Sequence, residues 1–423
     1  MILTQCAFCA ADLGLSLGKK CGRCSTRYCG AACQEQHWKE DGHDKLCKKI
    51  KKSGGAEQYN ANKKYAEAVG AAAEACAEDT KGQTCFICTQ ALHWKTKEGL
   101  VRMCSCRGTA GIAHVSCLAE QAKILVVEAE ENNLDSDVLI ERFRRWYTCS
   151  LCEQEYNGVV LCALGWACWK TYVGRPEGDW ARCMTMNVLG NGLLEADHYE
   201  EALTVQEAEL ATLRRYDASE GQILINQGNL ASTYQRLGRH EQALMMLRDV
   251  YFRELKLHGA QDSQTLISAN NYADTLVNLK RFEGAKSLLR KLIPVARRVL
   301  GESPEVTLRL RWTYAKALYM DNTSTLDNLR EAVTTLEDIA PTARRVLGGS
   351  HPSTEGIELL LQDALRALKG ATSGSSYLVR TSTQLLSPST APRRHVLGPL
   401  LLREREGQLV EEAVDERVAG GRR

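Results

Sequence analysis

The most regular pattern of apolar and polar positions lies between residues 186 and 369, where apolar residues recur with the 3.6-residue period of a helix. Four segments in this region align on one alanine each, and these alanines are 41, 42 and 47 residues apart: Ala202, Ala243, Ala285 and Ala332. In three of these units a short tail with a leucine and a glycine follows the helices: Leu257-His258-Gly259, Leu300-Gly301 and Leu347-Gly348. A period of this length predicts paired helices that stack into a solenoid.

The repeat pattern also predicts details of the packing. The four alanines open the second helix of each pair, where a small side chain lets two helices cross closely. Gly238 follows Leu237 and is expected to form a tight turn. The extra five residues of the last unit fall between Met320 and Thr325, where we expect a loop, because insertions in loops cost little.

Other segments are less regular. The segment from Tyr59 to Ala77 is rich in Ala, Glu and Lys and predicts a helix that acts as a spacer. The segment from Val159 to Tyr172 is apolar, with Trp166 and Trp169 on one face, and predicts the first packed helix of the repeat domain. No run reaches the length of a membrane span, and the N-terminus lacks the pattern of a signal peptide.

The C-terminal segment from Ala371 onward has a different composition. It contains three of the eight prolines and many Ser and Thr residues. We expect most of it to be disordered, with a possible short helix from Leu400 to Val418.

The cysteines add metal chemistry to this helical picture. Seven of the 18 fall between Cys6 and Cys47 and seven between Cys85 and Cys152, mostly as pairs with a histidine nearby. Disulfides are the alternative, but nothing in the chain indicates an oxidising compartment, and paired spacing is typical of zinc sites. The other four have no paired spacing and are interpreted as ordinary thiols: Cys76, Cys162, Cys168 and Cys183.

Charge argues against a general nucleic-acid binder. The 54 basic and 52 acidic residues give a net charge of +2, which falls to about −4 when fourteen thiolates and four zinc ions are included. Residues 1–52 alone are basic, with ten Lys or Arg against five Asp or Glu, and Lys48 to Lys52 is interpreted as a solvated helix end. The sequence contains no Ser/His/Asp set, phosphate loop or open metal site that would indicate an active site of its own.

The first cysteine cluster contains four pairs of candidate ligands. Two have x2 spacing, which suits knuckle turns, and two have x3 spacing, which places their members one turn apart on helices. Spacing alone does not decide whether neighbouring or alternate pairs share an ion. The pairs are Cys6 with Cys9, Cys21 with Cys24, Cys29 with Cys33, and His43 with Cys47.

Residues 6–47 resemble the MYND zinc finger in the order of seven Cys and one His, and in Tyr28, Gln34 and Trp38. The resemblance implies an interleaved arrangement and docking of short, often proline-containing peptides. Trp38 would line such a surface or pack against the zinc loops. His37 competes with His43 as a ligand, and the family pattern favours His43. The implied ligand sets are Cys6, Cys9, Cys29 and Cys33 for one ion and Cys21, Cys24, His43 and Cys47 for the other.

The second cluster resembles the RING-CH finger of a class of ubiquitin ligases. Its central segment has Cys104-x-Cys106, then seven residues, then His114-x2-Cys117, between two Cys-x2-Cys pairs. The resemblance implies a surface that docks a ubiquitin-conjugating enzyme and includes Ile87, which alternatively caps the zinc knuckle. The implied ligand sets are Cys85, Cys88, His114 and Cys117 for one ion and Cys104, Cys106, Cys149 and Cys152 for the other.

Three features depart from that family. Gln121 stands where a tryptophan is usual, 31 residues separate Cys117 from Cys149, and Glu153 replaces a basic residue that contacts ubiquitin in many such ligases. Trp146 before the last pair gives some weight to a PHD-type reader, although the one-residue Cys104 to Cys106 spacing argues against it.

The repeats resemble tetratricopeptide repeats of the kinesin light chain type. Asn229 and Asn271 each lie 14 residues before the alanine of their repeat and are similar to groove asparagines that hold peptide backbones in that family. Structural hydrogen bonding is the other interpretation of both.

The predicted fold is mostly α, with two small cross-brace zinc-finger modules followed by an α-solenoid of helix-turn-helix repeats. The expected divisions are 1–50 for the MYND-type finger, 51–82 for a helical linker, 83–157 for the RING-CH-type finger, 158–185 for a connecting helix, 186–369 for the solenoid and 370–423 for the tail. We expect four structural zinc ions, no membrane and a cytoplasmic or nuclear location.

Two hypotheses about function follow. The first is a RING-type ubiquitin ligase that captures its substrate with the repeats or the MYND finger. The second is a non-catalytic interaction scaffold with structural zinc fingers. A MYND-containing lysine methyltransferase is not indicated, because no segment resembles the catalytic domain of those enzymes.

Overall fold

The computed structural model describes residues 4–11, 13–14, 18–349 and 351–372, and this part of the chain is mostly helical, with almost no strand. It contains fifteen α-helices, one short 3-10 helix and one two-stranded sheet. The predicted mostly α fold is confirmed. The predicted tail beyond Thr372, including the helix from Leu400 to Val418, lies outside the described residues.

The first finger is built around a short antiparallel hairpin and two helices. Strands β1 (Lys19–Lys20) and β2 (Arg27–Tyr28) pair with Lys19 opposite Tyr28, and helices α1 (Ala31–Lys39) and α2 (His43–Lys52) follow. The expectation that Cys29 lies on a helix with Cys33 is wrong, since α1 begins two residues after Cys29. His43 and Cys47 do lie one turn apart on α2.

Helix α3 (Ala56–Ala75) is more than a spacer. The tyrosine hydroxyl of Tyr65 lies 3.0 Å from the Ser116 hydroxyl of the second finger, and Lys64 forms an ion pair of 2.8 Å with Glu201 in the repeats. Val69 and Ala72 are buried in the same apolar core as the second finger. The helix therefore joins the second finger to the first repeat by packing.

The second finger contains a helical insertion where the sequence has its long gap. Helix α4 (Val115–Glu131), helix α5 (Ser136–Phe143) and a 3-10 helix (Arg144–Trp146) fill the segment between the third and last ligand pairs. Trp146 is fully buried and packs edge to face on Tyr172, with 5.8 Å between ring centroids. Trp146 is therefore a core residue of this finger.

Acidic residues of this insertion are paired with arginines. Glu128 accepts a hydrogen bond from Arg142 at 3.0 Å, and Glu130 accepts two from Arg175, at 2.6 and 2.7 Å. Glu128 therefore joins the two helices of the insertion to each other, and Glu130 attaches the insertion to the segment that follows α6.

Two strongly apolar helices lead into the repeats. Helix α6 (Gly158–Tyr172) lies where the sequence predicts a packed helix, and helix α7 (Trp180–Glu195) packs along it. Gly165 and Gly192 make this close approach possible, because a Cβ on either would lie 2.8–2.9 Å from backbone atoms of the other helix. Helix α6 contributes both to the core of the second finger and to that of the first repeat.

The remaining helices form the predicted pairs of the solenoid. Ala202, Ala243, Ala285 and Ala332 are all fully buried, as expected for close helix crossings. Gly238 has a φ of +77°, which fits the predicted turn, and residues 321–325 form the predicted loop. The helices are α8 (Tyr199–Arg215), α9 (Glu220–Arg236), α10 (His240–His258), α11 (Ser263–Asn278), α12 (Phe282–Val299), α13 (Glu305–Met320), α14 (Leu326–Val346) and α15 (Pro352–Thr372).

Among the described residues, no helix has both the length and the apolar character that crossing a membrane requires.

Candidate metal centres and partner-binding residues

Four clusters of cysteine and histidine side chains lie in the two fingers. Within each cluster the four candidate ligand atoms lie within 4.8 Å of one another. The clusters are Cys6, Cys9, Cys29 and Cys33; Cys21, Cys24, His43 and Cys47; Cys85, Cys88, His114 and Cys117; and Cys104, Cys106, Cys149 and Cys152. The structure thus brings together the same interleaved sets that the two family resemblances imply.

The distances within the clusters fit tetrahedral zinc. A zinc ion with sulfur bonds of about 2.3 Å separates two sulfur ligands by about 3.8 Å. The Sγ atoms of Cys9 and Cys29 are 3.6 Å apart, and those of Cys106 and Cys149 are 3.7 Å apart. Disulfides would require about 2 Å. The donor sets, one of Cys₃His and one of Cys₄ in each finger, are those of structural zinc sites.

In each finger, the surroundings of the first cysteine of the first knuckle lower the pKa of its thiol. Burial opposes ionisation of Cys6, yet hydrogen bonds from the backbone of Cys9, Cys29 and Phe8 lower its pKa to about 6. In Cys85, burial is likewise outweighed by backbone hydrogen bonds from Cys88, His114 and Ile87, so its pKa is also lowered. Because zinc binds the thiolate, these knuckle amides favour the ligand form.

The two candidate histidine ligands use different ring nitrogens. Nε2 of His43 lies 3.4 Å from the Cys24 sulfur, whereas Nδ1 of His114 lies 3.3 Å from the Cys88 sulfur. Nε2 of His114 faces the carbonyl oxygen of Ala91 at 3.4 Å, an outer contact that orients the ring. Burial lowers the pKa of both histidines, which favours the neutral imidazole that binds metal.

His37, the alternative ligand in the first finger, has another role in the structure. Its Nδ1 lies 2.9 Å from the Tyr28 hydroxyl, and its ring packs against that of His43 at 4.9 Å between centroids. His37 therefore lies beside a cluster without being a member of it.

The four clusters differ in exposure. Cys9 and Cys29 of the first cluster are exposed, whereas all four residues of the second cluster are buried. The clusters of the second finger are intermediate between these extremes.

The four cysteines without paired spacing lie outside the clusters. Cys76, Cys162 and Cys168 are buried and Cys183 is partly buried. Burial raises the pKa of Cys162 to about 12 and that of Cys168 well above its ordinary value. These thiols are therefore unreactive at neutral pH.

The predicted partner-binding residues differ in accessibility. Ile87 is 38% exposed on the first knuckle of the second finger. Trp38 is 39% exposed, and its ring packs against that of His43 with 5.7 Å between ring centroids. Asn229 is only 4% exposed and its side-chain nitrogen has no hydrogen-bond partner among the described residues, whereas Asn271 is partly exposed. Asn271 is thus the more accessible of the two asparagines.

Other exposed apolar side chains of the second finger were not identified from the sequence. Leu151 lies between the last two candidate ligands and is 53% exposed, and Ile124 on α4 is 47% exposed. Ile124 lies three residues after Gln121, on the same side of the helix. Leu151 occupies the same position in the last Cys-x2-Cys knuckle as Ile87 does in the first, so the sequence alone could have indicated it.

Glu153, which departs from the family pattern, is paired. Arg145 of the 3-10 helix donates to the Glu153 carboxylate at 2.9 Å and to the Cys149 carbonyl oxygen at 3.3 Å. The guanidinium therefore lies directly against the last knuckle.

Family models match three parts of the chain. Residues 6–47 match the MYND finger, residues 85–134 the RING-variant domain and residues 265–305 a tetratricopeptide repeat. The chain thus contains all three kinds of module that the sequence resembles. The RING-variant match ends before Cys149 and Cys152, and it is the structure that places this pair in the fourth cluster.

Solved structures also show similarity to parts of the chain. The nearly identical TPR-like repeats of a kinesin light chain protein from Podosopora anserina are 20% identical, with 48% of this chain and 100% of that chain covered and a TM-score of 0.35. BtubC (BKLC) from P. vanneervenii is 14% identical, with 64% and 98% covered and a TM-score of 0.34. A search of curated proteins found no match.

Proposed function

We propose that this protein is a RING-type ubiquitin ligase that docks a ubiquitin-conjugating enzyme on its second finger and captures its substrate with the repeats or the first finger. The observation that carries the proposal is the second finger, which combines a RING-variant match with two closed metal clusters and exposed apolar side chains on both Cys-x2-Cys knuckles. The sixteen clustered side chains are the proposed ligands of four structural zinc ions.

The closed clusters determine what kind of catalysis this proposal allows. Protein side chains supply all four donors of each cluster, which leaves no position for a bound water or substrate. The finger therefore acts by positioning: it holds the conjugating enzyme so that the ubiquitin thioester faces a lysine amine. The amine attacks the thioester carbonyl, an isopeptide bond forms, and the cysteine thiol of the conjugating enzyme leaves.

Three exposed side chains form the proposed docking surface. Ile87 and Leu151 come from the first and last knuckles, and Ile124 comes from the helix that follows the third ligand pair. A few anchor side chains contribute most of the affinity in a partner interface, and exposed apolar residues are candidates for them. Ile124 offers an apolar contact on the helix face where Gln121 replaces the usual tryptophan.

Substrate capture is assigned to the modules on either side. Trp38 offers a partly exposed aromatic ring on the first finger, suited to a proline-containing peptide. In the repeats, Asn271 is the proposed contact to a peptide backbone, and Asn229 would have to become accessible to contribute.

The test is conjugation by the purified full-length protein with ubiquitin, activating enzyme and a panel of conjugating enzymes. We expect Ile87→Ala to reduce the rate by about tenfold, the loss for an anchor worth about 1.4 kcal/mol. Cys104→Ser should abolish the activity by removing a ligand of the fourth cluster. Met245→Ala, a change of an exposed apolar residue on helix α10 of the repeats, is the matched control and should have no effect.

The scaffold hypothesis predicts the opposite pattern. It is favoured by the Glu153 carboxylate, which places negative charge on the last knuckle although Arg145 partly neutralises it. If no conjugating enzyme yields ubiquitin chains, or if Ile87→Ala and Cys104→Ser leave the yield unchanged, the ligase proposal is wrong and the chain is an interaction scaffold.

A further inference from the structure

The second finger touches the far end of the solenoid. Nη2 of Arg107 lies 2.9 Å from the carbonyl oxygen of Arg344 and 3.4 Å from that of Arg345, across 237 and 238 residues of sequence. The hydroxyl of Ser105 donates a hydrogen bond to the Leu347 carbonyl oxygen. Both finger residues belong to the loop that carries Cys104 and Cys106.

The chemistry of this contact is that of a helix cap. The last carbonyl groups of a helix have no partner within it and form the negative end of its dipole. Helix α14 ends at Val346, so the accepting carbonyls belong to its last turn and the residue just beyond it. A guanidinium and a hydroxyl are suitable donors, and the positive charge of Arg107 complements the helix end.

Among the described residues, the second finger contacts only one of three similar helix ends. Helices α10, α12 and α14 all end near a glycine with positive φ: Gly259 at +80°, Gly301 at +92° and Gly348 at +95°. Apart from its chain neighbours, no described residue lies within 4 Å of a Cβ built on Gly259, and a Cβ built on Gly301 would meet Pro304 of its own loop. A Cβ built on Gly348 would lie 3.7 Å from the Cα of Ser105. The contact therefore depends on the position of the last repeat and is not a general property of these helix ends.

The first repeats are held by the same finger at the opposite end. Val160 and Leu164 of α6 and Met184 and Val188 of α7 share one apolar core with the finger residue Ile112. The second finger thus contacts the solenoid twice, through its core at α6 and α7 and through its surface at the end of α14.

We infer that the second finger docks the last repeat of its own chain, and that Arg107 is the positioning residue of this contact. The solenoid is thereby closed on the finger, and any ligand held by the repeats lies at a fixed separation from the finger. The relevance of that separation to ubiquitin transfer rests on the proposed function; the docking itself does not.

Hydrogen exchange followed by mass spectrometry on the zinc-loaded full chain tests the inference. Arg107→Asp places a negative charge against the negative end of α14, so amide exchange in residues 343–372 should become faster by about tenfold. Arg107→Lys retains a cationic donor and should restore slow exchange. Arg330→Asp, at the opposite end of α14 where Arg330 pairs with Asp327 of the same helix, is the matched control and should leave exchange in residues 343–372 unchanged.

Zinc content is measured for every variant, because Arg107 follows the candidate ligand Cys106. If Arg107→Asp loses zinc, Arg107→Ala decides, since it removes the donor without adding charge and should also accelerate exchange. Unchanged exchange in a zinc-loaded Asp or Ala variant, or acceleration by Arg107→Lys equal to that by Arg107→Asp, would overturn the inference. The measurement uses no ubiquitin, so failure of the ligase proposal does not affect its outcome.

Discussion

At the scale of single residues, the most unusual group is the carboxyl of Glu209 in helix α8. It is buried within the first repeats and accepts a hydrogen bond from the Asn187 side chain at 3.2 Å. Burial raises the pKa of Glu209 to about 8, although Asn187 and Asn226 favour the charged form. At neutral pH this group is therefore largely protonated inside the repeat array.

The raised pKa of Glu209 makes stability depend on pH. Its pKa is 4.5 when exposed and about 8 in the fold, so its contribution is fully present below pH 4.5 and is lost as pH rises through 8. Between those values the loss amounts to about 1.4 kcal/mol per pH unit at most. Glu209→Gln keeps an acceptor for Asn187 and cannot ionise, so it should raise the urea midpoint at pH 9 and change it little at pH 5.

Helical circular dichroism during urea unfolding at pH 5, 7 and 9 measures this effect. Glu200→Gln, which alters an exposed carboxylate on the same helix, should not change the pH dependence. A Glu209→Gln variant with the same pH profile as the wild type would show that the carboxyl titrates normally.

At the scale of structural elements, the two clusters of the first finger should release metal at different rates. Cys9 and Cys29 of the first cluster are exposed, so a chelator can reach the ion they would hold, whereas Cys21, Cys24, His43 and Cys47 are all buried. We expect about four zinc ions per chain, with one released to a colorimetric chelator in a fast phase. Cys9→Ser should remove that phase, and Cys47→Ser should leave it.

Release of all ions in one phase would contradict this order, and a total near two would mean that one finger does not bind zinc. The comparison of Cys9→Ser with Cys47→Ser is matched, because each removes one thiol from a different cluster of the same finger.

The sequence predicts elements well where the pattern is local. Ligand pairs follow from spacing, because two donors two to four residues apart can reach one ion, and the solenoid helices follow from their period. Local geometry was less certain: Cys29 precedes α1 although its spacing to Cys33 suits a helix. Pro294 and Pro341 lie inside α12 and α14, where a proline usually ends a helix, so propensity alone would have misplaced those helix ends.

Helices α4 and α5 show a different limit. The family resemblance treats the 31 residues between Cys117 and Cys149 as an unusually long gap, and their helices become stable by burying Val126 and Phe143 in the shared core. The contact between Arg107 and α14 depends on the curvature of the whole solenoid, so it cannot be predicted from any local sequence pattern.

At the scale of the whole molecule, the two fingers differ in how they connect to the repeats. Leu13, Tyr28 and Ile50 of the first finger form a small core of their own, to which only Ala56 and Tyr59 of α3 are added. The second finger has no separate core, since its buried residues belong to one cluster with α3, α6 and α7. Loss of metal from the second finger should therefore damage the repeats, and loss from the first should not.

A matched pair of ligand changes measures this difference. Cys149→Ser removes a buried candidate ligand of the fourth cluster and should lower the free energy of unfolding by several kcal/mol, a part of the roughly 10–16 kcal/mol with which a structural zinc ion is bound. Because the core is shared, hydrogen exchange in α6 and α7 should accelerate and the thermal midpoint of the helical signal should fall. Cys21→Ser removes a buried candidate ligand of the first finger and should accelerate exchange only in residues 18–52. If both variants leave α6 and α7 equally protected, the second finger is an independent module and its packing against the repeats contributes little to stability.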